Sequence, residues 1–239
     1  MRRLEGKIAL ITGGNRGIGR GIAEAFAAEG AALILTARDA GLLNETAEAL
    51  KKRGADVLAV PADVTEEKQV QELFRQALDR FGRLDVLVNN AGTFSGYAAI
   101  DEVSVKSWDW IIAVNLRGPF LCTREAFRVM KRQRGGRIIN IGSIASQRVR
   151  PKSAAYSTSK HGLWGLTQVT ALEGREHGIS CGILHPGNVM VEKRTGESEP
   201  MMSPEEIAMA AVAMAELPPH VNMLEATTLH IEQPFLGRG

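Results

Sequence analysis

The sequence predicts a single-domain α/β fold, a doubly wound open sheet with helices on both faces, and three observations predict it. Apolar runs of strand length alternate with longer segments whose apolar residues recur at helical spacing. The first such run breaks into a glycine-rich turn that opens a helix. Later runs end in Asn, Ser or Pro-Gly, polar and turn residues that the fold collects at the carboxyl edge of the sheet, where open α/β sheets bind ligands. At 239 residues the chain is long enough for a sizeable core and short enough for one domain, and it has no repeat or low-complexity linker.

Composition excludes several classes. Lys and Arg number 29 against 27 Asp and Glu, a formal net charge of +2, so no broad basic face points to nucleic acid. The cysteines, Cys122 and Cys181, fall in a predicted helix and a predicted strand and read as small core hydrophobes in a reducing compartment, neither a disulfide nor a metal framework. No apolar run approaches the roughly 18 residues that span a bilayer. Glu5 interrupts the basic start Met1-Arg2-Arg3, and the apolar run behind it is too short for a signal peptide. The expectation is a soluble, cytoplasmic protein.

The first strand, Lys7 to Ile11, ends in Thr12-Gly13-Gly14-Asn15-Arg16-Gly17-Ile18-Gly19, and Ile22, Ala25, Phe26 and Ala27 then recur at helical spacing. Glycines let backbone turn tightly and approach a pyrophosphate, and a helix amino terminus presents N–H groups and a positive dipole end. The spacing is not GxGxxG, and no Lys-Ser/Thr ending marks a P-loop. Glycines also simply make turns, but this position at the first strand-to-helix junction favours nucleotide binding.

The second strand, Ala32 to Thr36, closes with Ala37-Arg38-Asp39. An acidic residue here would hold a ribose 2′-hydroxyl, whereas an arginine accommodates a 2′-phosphate. Arg38 offers a planar fork, and Arg16 in the glycine turn is a second cation, so NADP(H) is predicted over NAD(H). The alternatives are a solvated Arg38 and an Asp39 that caps the next helix or reaches back to the ribose.

The second helix runs to about Arg53, and the third strand, Asp56 to Val60, leads to Pro61-Ala62-Asp63-Val64-Thr65. Asp63 either accepts from an adenine amino group or caps the helix that begins near Glu66. The fourth strand, Leu84 to Val88, ends in Asn89-Asn90-Ala91-Gly92, amides that can fix neighbouring backbone beside a ligand. Between Trp108 and Met130 lies a long, largely buried helix interrupted by Gly118-Pro119. Proline has no N–H for the carbonyl four residues earlier, that of Asn115, which becomes free to hold a water on a proton path to Lys160; a kink without chemical role is the alternative.

The fifth strand, Arg137 to Gly142, delivers Ser143 to the carboxyl edge. Tyr156 and Lys160 follow in the first turn of a helix that continues through Leu163, Leu166, Val169 and Leu172, and their spacing puts them on one face. An ordinary phenol titrates near about 10, and an adjacent ammonium lowers that, which makes Tyr156 a candidate acid/base. Such a pair is also a common surface feature; what singles it out is the rest of the chain. The sixth strand, Ile179 to Leu184, ends in a His185-Pro186-Gly187 turn, and the polar segment from Asn188 to Met202 is a candidate lid. Ser203-Pro204-Glu205-Glu206 starts a helix with a capping box, and Thr227 to Ile231 is the last strand.

With these residues in view, nearly the whole chain resembles the short-chain dehydrogenase/reductase family in its single-domain form. Residues 12–19 resemble its TGxxxGxG turn, 89–92 its NNAG, Tyr156 to Lys160 its YxxxK with Ser143 at the expected interval, and Pro186-Gly187 its PG turn. The resemblance implies a Rossmann-like sheet of seven mostly parallel strands and reversible hydride transfer between NAD(P)H and a carbonyl or secondary alcohol. It implies that Tyr156 protonates the carbonyl oxygen, Ser143 orients substrate, Lys160 lowers the phenol pKa and holds the nicotinamide ribose, and Asn115 positions the relay water. It moves Asp63, with Val64 beside it, toward adenine and Asn90 toward the ribose, and places Pro186, Gly187 and Val189 at the nicotinamide. It also implies a homodimer or homotetramer that packs the helices containing Asn115 and Tyr156. One departure is Val191, where the family commonly has a threonine that bonds the carboxamide; backbone from Val189 is the substitute.

The segment Leu217-Pro218-Pro219-His220-Val221-Asn222 resembles the branch of 3-hydroxy acid dehydrogenases more than the acyl-carrier-protein reductases, which remain the alternative. Arg148 and Arg150, between Ser143 and Tyr156, are candidates to meet an anionic substrate group or are solvated. A rival of another class is a nucleotide-sensing or scaffold protein, against which the complete Ser, Tyr and Lys set stands.

Overall fold

The computed structural model describes residues 2–94, 98–191 and 199–235. A seven-stranded sheet, parallel at every pairing, has the order β3-β2-β1-β4-β5-β6-β7. Its strands are β1 (Ile8–Thr12), β2 (Ala32–Thr36), β3 (Val57–Ala59), β4 (Val86–Asn89), β5 (Gly136–Ile141), β6 (Ile179–Pro186) and β7 (Glu225–Thr228). The helices are α1 (Gly17–Ala28), α2 (Ala40–Lys52), α3 (Glu67–Phe81), α4 (Val105–Ile112), α5 (Gly118–Gln133), α6 (Ala154–Gly174) and α7 (Pro204–Glu216). The seven-stranded Rossmann-like architecture expected from the family resemblance is therefore the one observed.

Alternation along each central strand builds two cores. In β1, Ala9 and Ile11 join the layer of α1, α2 and α7, while Ile8 and Leu10 join the layer of α3 and α5. Side chains such as Phe26 and Leu73 are fully removed from water, each contributing about 1.5–3 kcal/mol of burial free energy. Cys122 and Cys181 are buried free thiols; desolvation pushes Cys122 up to about 12 and Cys181 also upward, which makes both inert.

Several helix starts follow directly from sequence. Asp39 accepts from Leu42 N–H and starts α2, and Ser203 and Glu206 form the reciprocal capping box of α7, with Pro204 in its first turn. The chain passes from β1 to β2 on one side and, after β3, returns to β4 on the other, so the switch point falls between β1 and β4.

Three expectations are corrected and one of two alternatives for Asp63 is closed. The sixth strand does not turn at His185 but runs to Pro186, because β7 pairs with it at His185 and Pro186. The last strand is Glu225–Thr228 rather than Thr227 to Ile231, with half its residues exposed, so its apolar signal is weak. The long helix is interrupted before Gly118-Pro119: Ala113–Arg117 form a π-helical turn in which Gly118 N–H donates to Ala113 O. Asp63 does not cap α3, whose N-cap position is Glu66; its carboxylate instead takes the N–H and hydroxyl of Thr65. Of the candidate lid from Asn188 to Met202, residues 192–198 lie outside the described residues.

Candidate active site

A cleft of about 730 Å³ runs along the carboxyl edge of the sheet. Its lining includes nearly all the residues singled out in sequence: Gly13, Asn15, Arg16, Gly17, Ile18, Arg38, Asp63, Val64 and Asn90 toward one end, Ser143, Tyr156, Lys160, Pro186, Gly187 and Val189 toward the other. Gly19 and Asn115 do not line it. They shape it from behind.

At the glycine turn, Gly13 and Gly17 have φ of +65° and +50°, a region that L side chains rarely occupy. Gly13 N–H donates to Thr36 O at 2.7 Å, which ties the turn to β2. Asn90 ties it to β4, donating from Nδ2 to Thr12 O (2.9 Å) and Gly13 O (3.2 Å), while the N–H groups of Asn90 and Ala91 donate to Thr12 Oγ1. A Cβ on Gly19 would overlap Gly13 O and Asn90 Nδ2, so only glycine lets α1 start this close to the turn. No side chain caps α1 at Arg16, which leaves its first N–H groups facing the cleft for an anion.

Arg38 is exposed beyond β2, with its guanidinium carbon 4.9 Å from the centroid of the Trp110 ring on α4, a cation–π contact. Asp63 reaches the same end of the cleft. These residues fit a dinucleotide: a glycine-shaped floor, an uncapped helix start beside it, and two arginines at one end.

The other end is assembled from three elements. Ser143 follows β5 and caps a single 3₁₀ turn, Ile144–Ser146, by accepting from Ala145 N–H at 3.1 Å. Tyr156 lies in the first turn of α6, edge-on to Phe94 with ring centroids 5.0 Å apart. Lys160 is buried, its Nζ donates to Ile141 O at 2.9 Å and lies 5.8 Å from the Tyr156 ring centroid, and burial lowers its pKa to about 8.

Asn115 sits within the π turn, 1% exposed. Its side chain brackets Thr93, accepting from the N–H at 2.7 Å and donating to the carbonyl at 2.9 Å, and also donates to Ser159 Oγ at 3.2 Å. Pro119 offers its carbonyl no N–H, as expected.

Near the PG turn, Val189 bridges to Met202 through Met190 N–H and Asn188 O, so Val189's own backbone groups face the other side of the segment. Val191 lines the cleft and packs toward the glycine turn; a Cβ on Gly17 would lie 3.2 Å from its Cγ1. Arg148 and Arg150 both line the cleft. Arg148 donates to Phe235 O at 2.9 Å and stacks on the Phe235 ring, and Arg150 pairs with Glu199 at 3.3 Å.

Two contributors had no signal in the sequence. Phe94 follows the NNAG turn without any periodicity. Gln233, buried in the carboxyl-terminal segment, accepts from Asn188 N–H at 2.9 Å and so props the PG turn from a distant part of the chain.

Known proteins with similar sequences and folds belong to one family. The family model described as short chain dehydrogenase matches residues 7–201. A Bacillus subtilis protein, glucose 1-dehydrogenase 2, is 36% identical over 225 residues and covers 87% of each chain. A 3-oxoacyl-[acyl-carrier-protein] reductase of Synechocystis is 33% identical over 219 residues, 87% of this chain and 88% of its own. Among solved structures, an alcohol dehydrogenase of the archaeon Thermococcus sibiricus, complexed with 5-hydroxy-NADP, superposes with a TM-score of 0.87 at 31% identity, covering 95% of this chain and 97% of that one. Sequence, fold and cleft lead to one conclusion: this chain belongs to the short-chain dehydrogenase/reductase family of oxidoreductases.

Proposed function

We propose that the protein is an NADP(H)-dependent oxidoreductase that interconverts a carbonyl and a secondary alcohol. The observation that carries this reading is one continuous cleft with two arginines at one end and Ser143, Tyr156 and Lys160 at the other. Arg38 and Arg16 grip a 2′-phosphate, the first turn of α1 faces the pyrophosphate, and Asp63 and Val64 meet the adenine. Asn90 holds the glycine turn in shape, while Pro186, Gly187 and Val189 flank the nicotinamide. When bound between these residues, the nicotinamide would supply hydride chemistry at a carbonyl carbon, reversible with the alcohol.

Tyr156 donates its hydroxyl proton to the carbonyl oxygen, and Ser143 hydrogen-bonds that oxygen to orient it. Lys160 holds the ribose and favours the phenolate that remains. Its pKa near 8 keeps its own proton exchangeable close to neutral pH, and the Asn115 carbonyl holds the water that resupplies it. The relatives named for glucose and for 3-oxoacyl groups leave the substrate to experiment. Arg148, which also contacts Phe235, and Arg150, which also pairs with Glu199, are the cleft-lining arginines on the Ser143 to Tyr156 segment proposed to meet an anionic substrate group.

The test follows NADPH and NADH absorbance against a panel of matched acidic and neutral carbonyls that includes a 3-oxoacyl thioester. Faster turnover with NADPH is expected, with loss of turnover but not of NADPH binding in Tyr156→Phe. Full activity in that variant removes Tyr156 from the mechanism. A lower KM for acidic carbonyls that vanishes in a double Arg148→Ala, Arg150→Ala variant assigns the anion site; unchanged KM values remove it.

Self-association through the long helices accompanies this reading. Phe120 on α5 and Val169 and Leu172 on α6 are 44%, 52% and 59% exposed, large apolar side chains on those two helices. Light scattering is expected to give a dimer or tetramer, reduced to monomer by Leu172→Glu; a monomeric wild type refutes it. The compartment expected is the cytoplasm, and among the described residues no helix is long and apolar enough to cross a membrane.

A further inference from the structure

We infer that His185 is a positioning residue for Ser143: its imidazole, buried behind the cleft, holds the serine main-chain N–H through Nδ1 while Glu225 on β7 faces its other nitrogen. The inference rests on the reading of Ser143 as the group that orients substrate.

His185 is 0% exposed near the end of β6. Ser143 N–H donates to its Nδ1 at 3.3 Å, so Nδ1 is a bare acceptor and the ring proton sits on Nε2. Nε2 lies 3.2 Å from Glu225 Oε1 but without hydrogen-bond alignment, and it has no hydrogen-bond partner among the described residues. The Glu225 carboxylate is held there by the side-chain amide of Gln147, the residue that ends the 3₁₀ turn begun at Ser143. Gly142 makes the arrangement possible, since a Cβ there would come within 2.5 Å of Nδ1.

The charged and titratable groups facing the ring are Glu225 from β7 and Lys160 from α6, and the Trp164 ring of α6 meets it edge-on at 6.1 Å. Burial lowers the imidazole pKa below its ordinary value, Lys160 works in the same direction, and Glu225 opposes both. The ring therefore stays neutral, and Nδ1 stays an acceptor, at neutral pH. Protonation would turn Nδ1 into a donor aimed at another donor and release Ser143. Because Ser143 Oγ accepts from Ala145 N–H, its hydroxyl hydrogen is directed elsewhere, so small movements of this backbone are felt at the substrate.

The test combines ring tautomer, amide exchange and turnover. On ¹⁵N-labelled protein, long-range ¹H–¹⁵N correlations of His185 are expected to show a protonated Nε2 and a bare Nδ1, retained as pH falls through the ordinary histidine range. A protonated Nδ1 overturns the inference. His185→Leu is expected to speed Ser143 amide exchange and lower kcat for NADPH-dependent carbonyl reduction by about 3–10-fold, the worth of one hydrogen bond. His185→Asn, which places an acceptor oxygen near the site of Nδ1, is expected to restore both. In Glu225→Gln, with the countercharge gone, the acid limb of the kcat profile is expected to move to lower pH. Equal exchange and equal kcat in the Leu and Asn variants overturn the inference even where the Leu variant is destabilised. If Ser143→Ala abolishes turnover while His185→Leu matches wild type, this inference alone fails; if Ser143→Ala is silent, the reading of the site fails with it.

Discussion

At the cradle end of the cleft, the shape comes from the backbone of residues 12–19, tied by Asn90 to β4 and by Thr36 to β2. At the other end, proposed to react, Ser143, Tyr156 and Lys160 arrive from β5 and α6 with Asn115 of the π turn behind them, and their surroundings come from β6, β7 and the carboxyl-terminal segment. The first end owes its shape to positions that admit no side chain, Gly13 and Gly17 at positive φ and Gly19 against Gly13 O and Asn90. The second takes the Lys160 ammonium, and the His185 imidazole behind Ser143, out of water, which lowers the proton affinity of both. One half is thus sensitive to added volume and the other to lost charge or hydrogen bonds.

The largest expected effect is at the reacting end. Lys160→Met removes a buried ammonium and is expected to lower kcat by about 10²–10⁴-fold while raising stability by about 1–3 kcal/mol at pH 7. Folding depresses the Lys160 pKa from 10.5 to about 8, so the unfolded chain binds the proton more tightly between those values. This group's penalty is therefore full below about pH 8 and fades as pH rises toward 10.5. Thermal melts of both proteins at neutral and alkaline pH check this. A variant that melts lower than wild type at pH 7 would mean that the ammonium is a net stabiliser.

At the cradle end, Gly19→Ala is expected to weaken NADPH binding about tenfold or more and to cost about 1–3 kcal/mol of stability, because the methyl meets Gly13 O and Asn90 Nδ2. Calorimetric titration with NADPH checks it, and wild-type affinity would show that the cradle yields. The contrast with the second half sharpens if kcat at saturating cofactor survives in this variant.

The smallest effect is expected for Arg38→Ala. Its guanidinium is solvent exposed, so NADPH affinity should fall by only about 3–10-fold with NADH affinity unchanged. An equal loss for both coenzymes would assign Arg38 to the adenine, or to its Trp110 contact, and not to the 2′-phosphate.

Much of this is legible in the sequence. The glycine turn, the Asp39 and Ser203 caps and the Tyr156/Lys160 spacing are patterns between near neighbours, and near neighbours interact wherever the fold puts them. Asp63 shows the limit: a cap role and a cleft role are both consistent with spacing, and in the fold α3 has Glu66 as its N-cap residue while the Asp63 carboxylate accepts from Thr65. The apolar pattern places the last strand too far along the chain, because Glu225 and Thr227 are exposed and the run lacks the apolar signature of a buried strand. The π turn was legible only as a proline interruption; which residues absorb the extra backbone depends on how α4 and α5 pack against their neighbours.

The order of residues alone specifies strand, turn and helix and the candidate reacting groups, since those follow from periodicity and from chemistry that each side chain carries anywhere. Packing across the sheet assigns the rest: Lys160 loses water and with it part of its proton affinity, Gln233 reaches the PG turn, and His185 comes to lie behind Ser143. Each of these joins groups far apart in the chain, and no local pattern encodes a contact that exists only once the strands have paired.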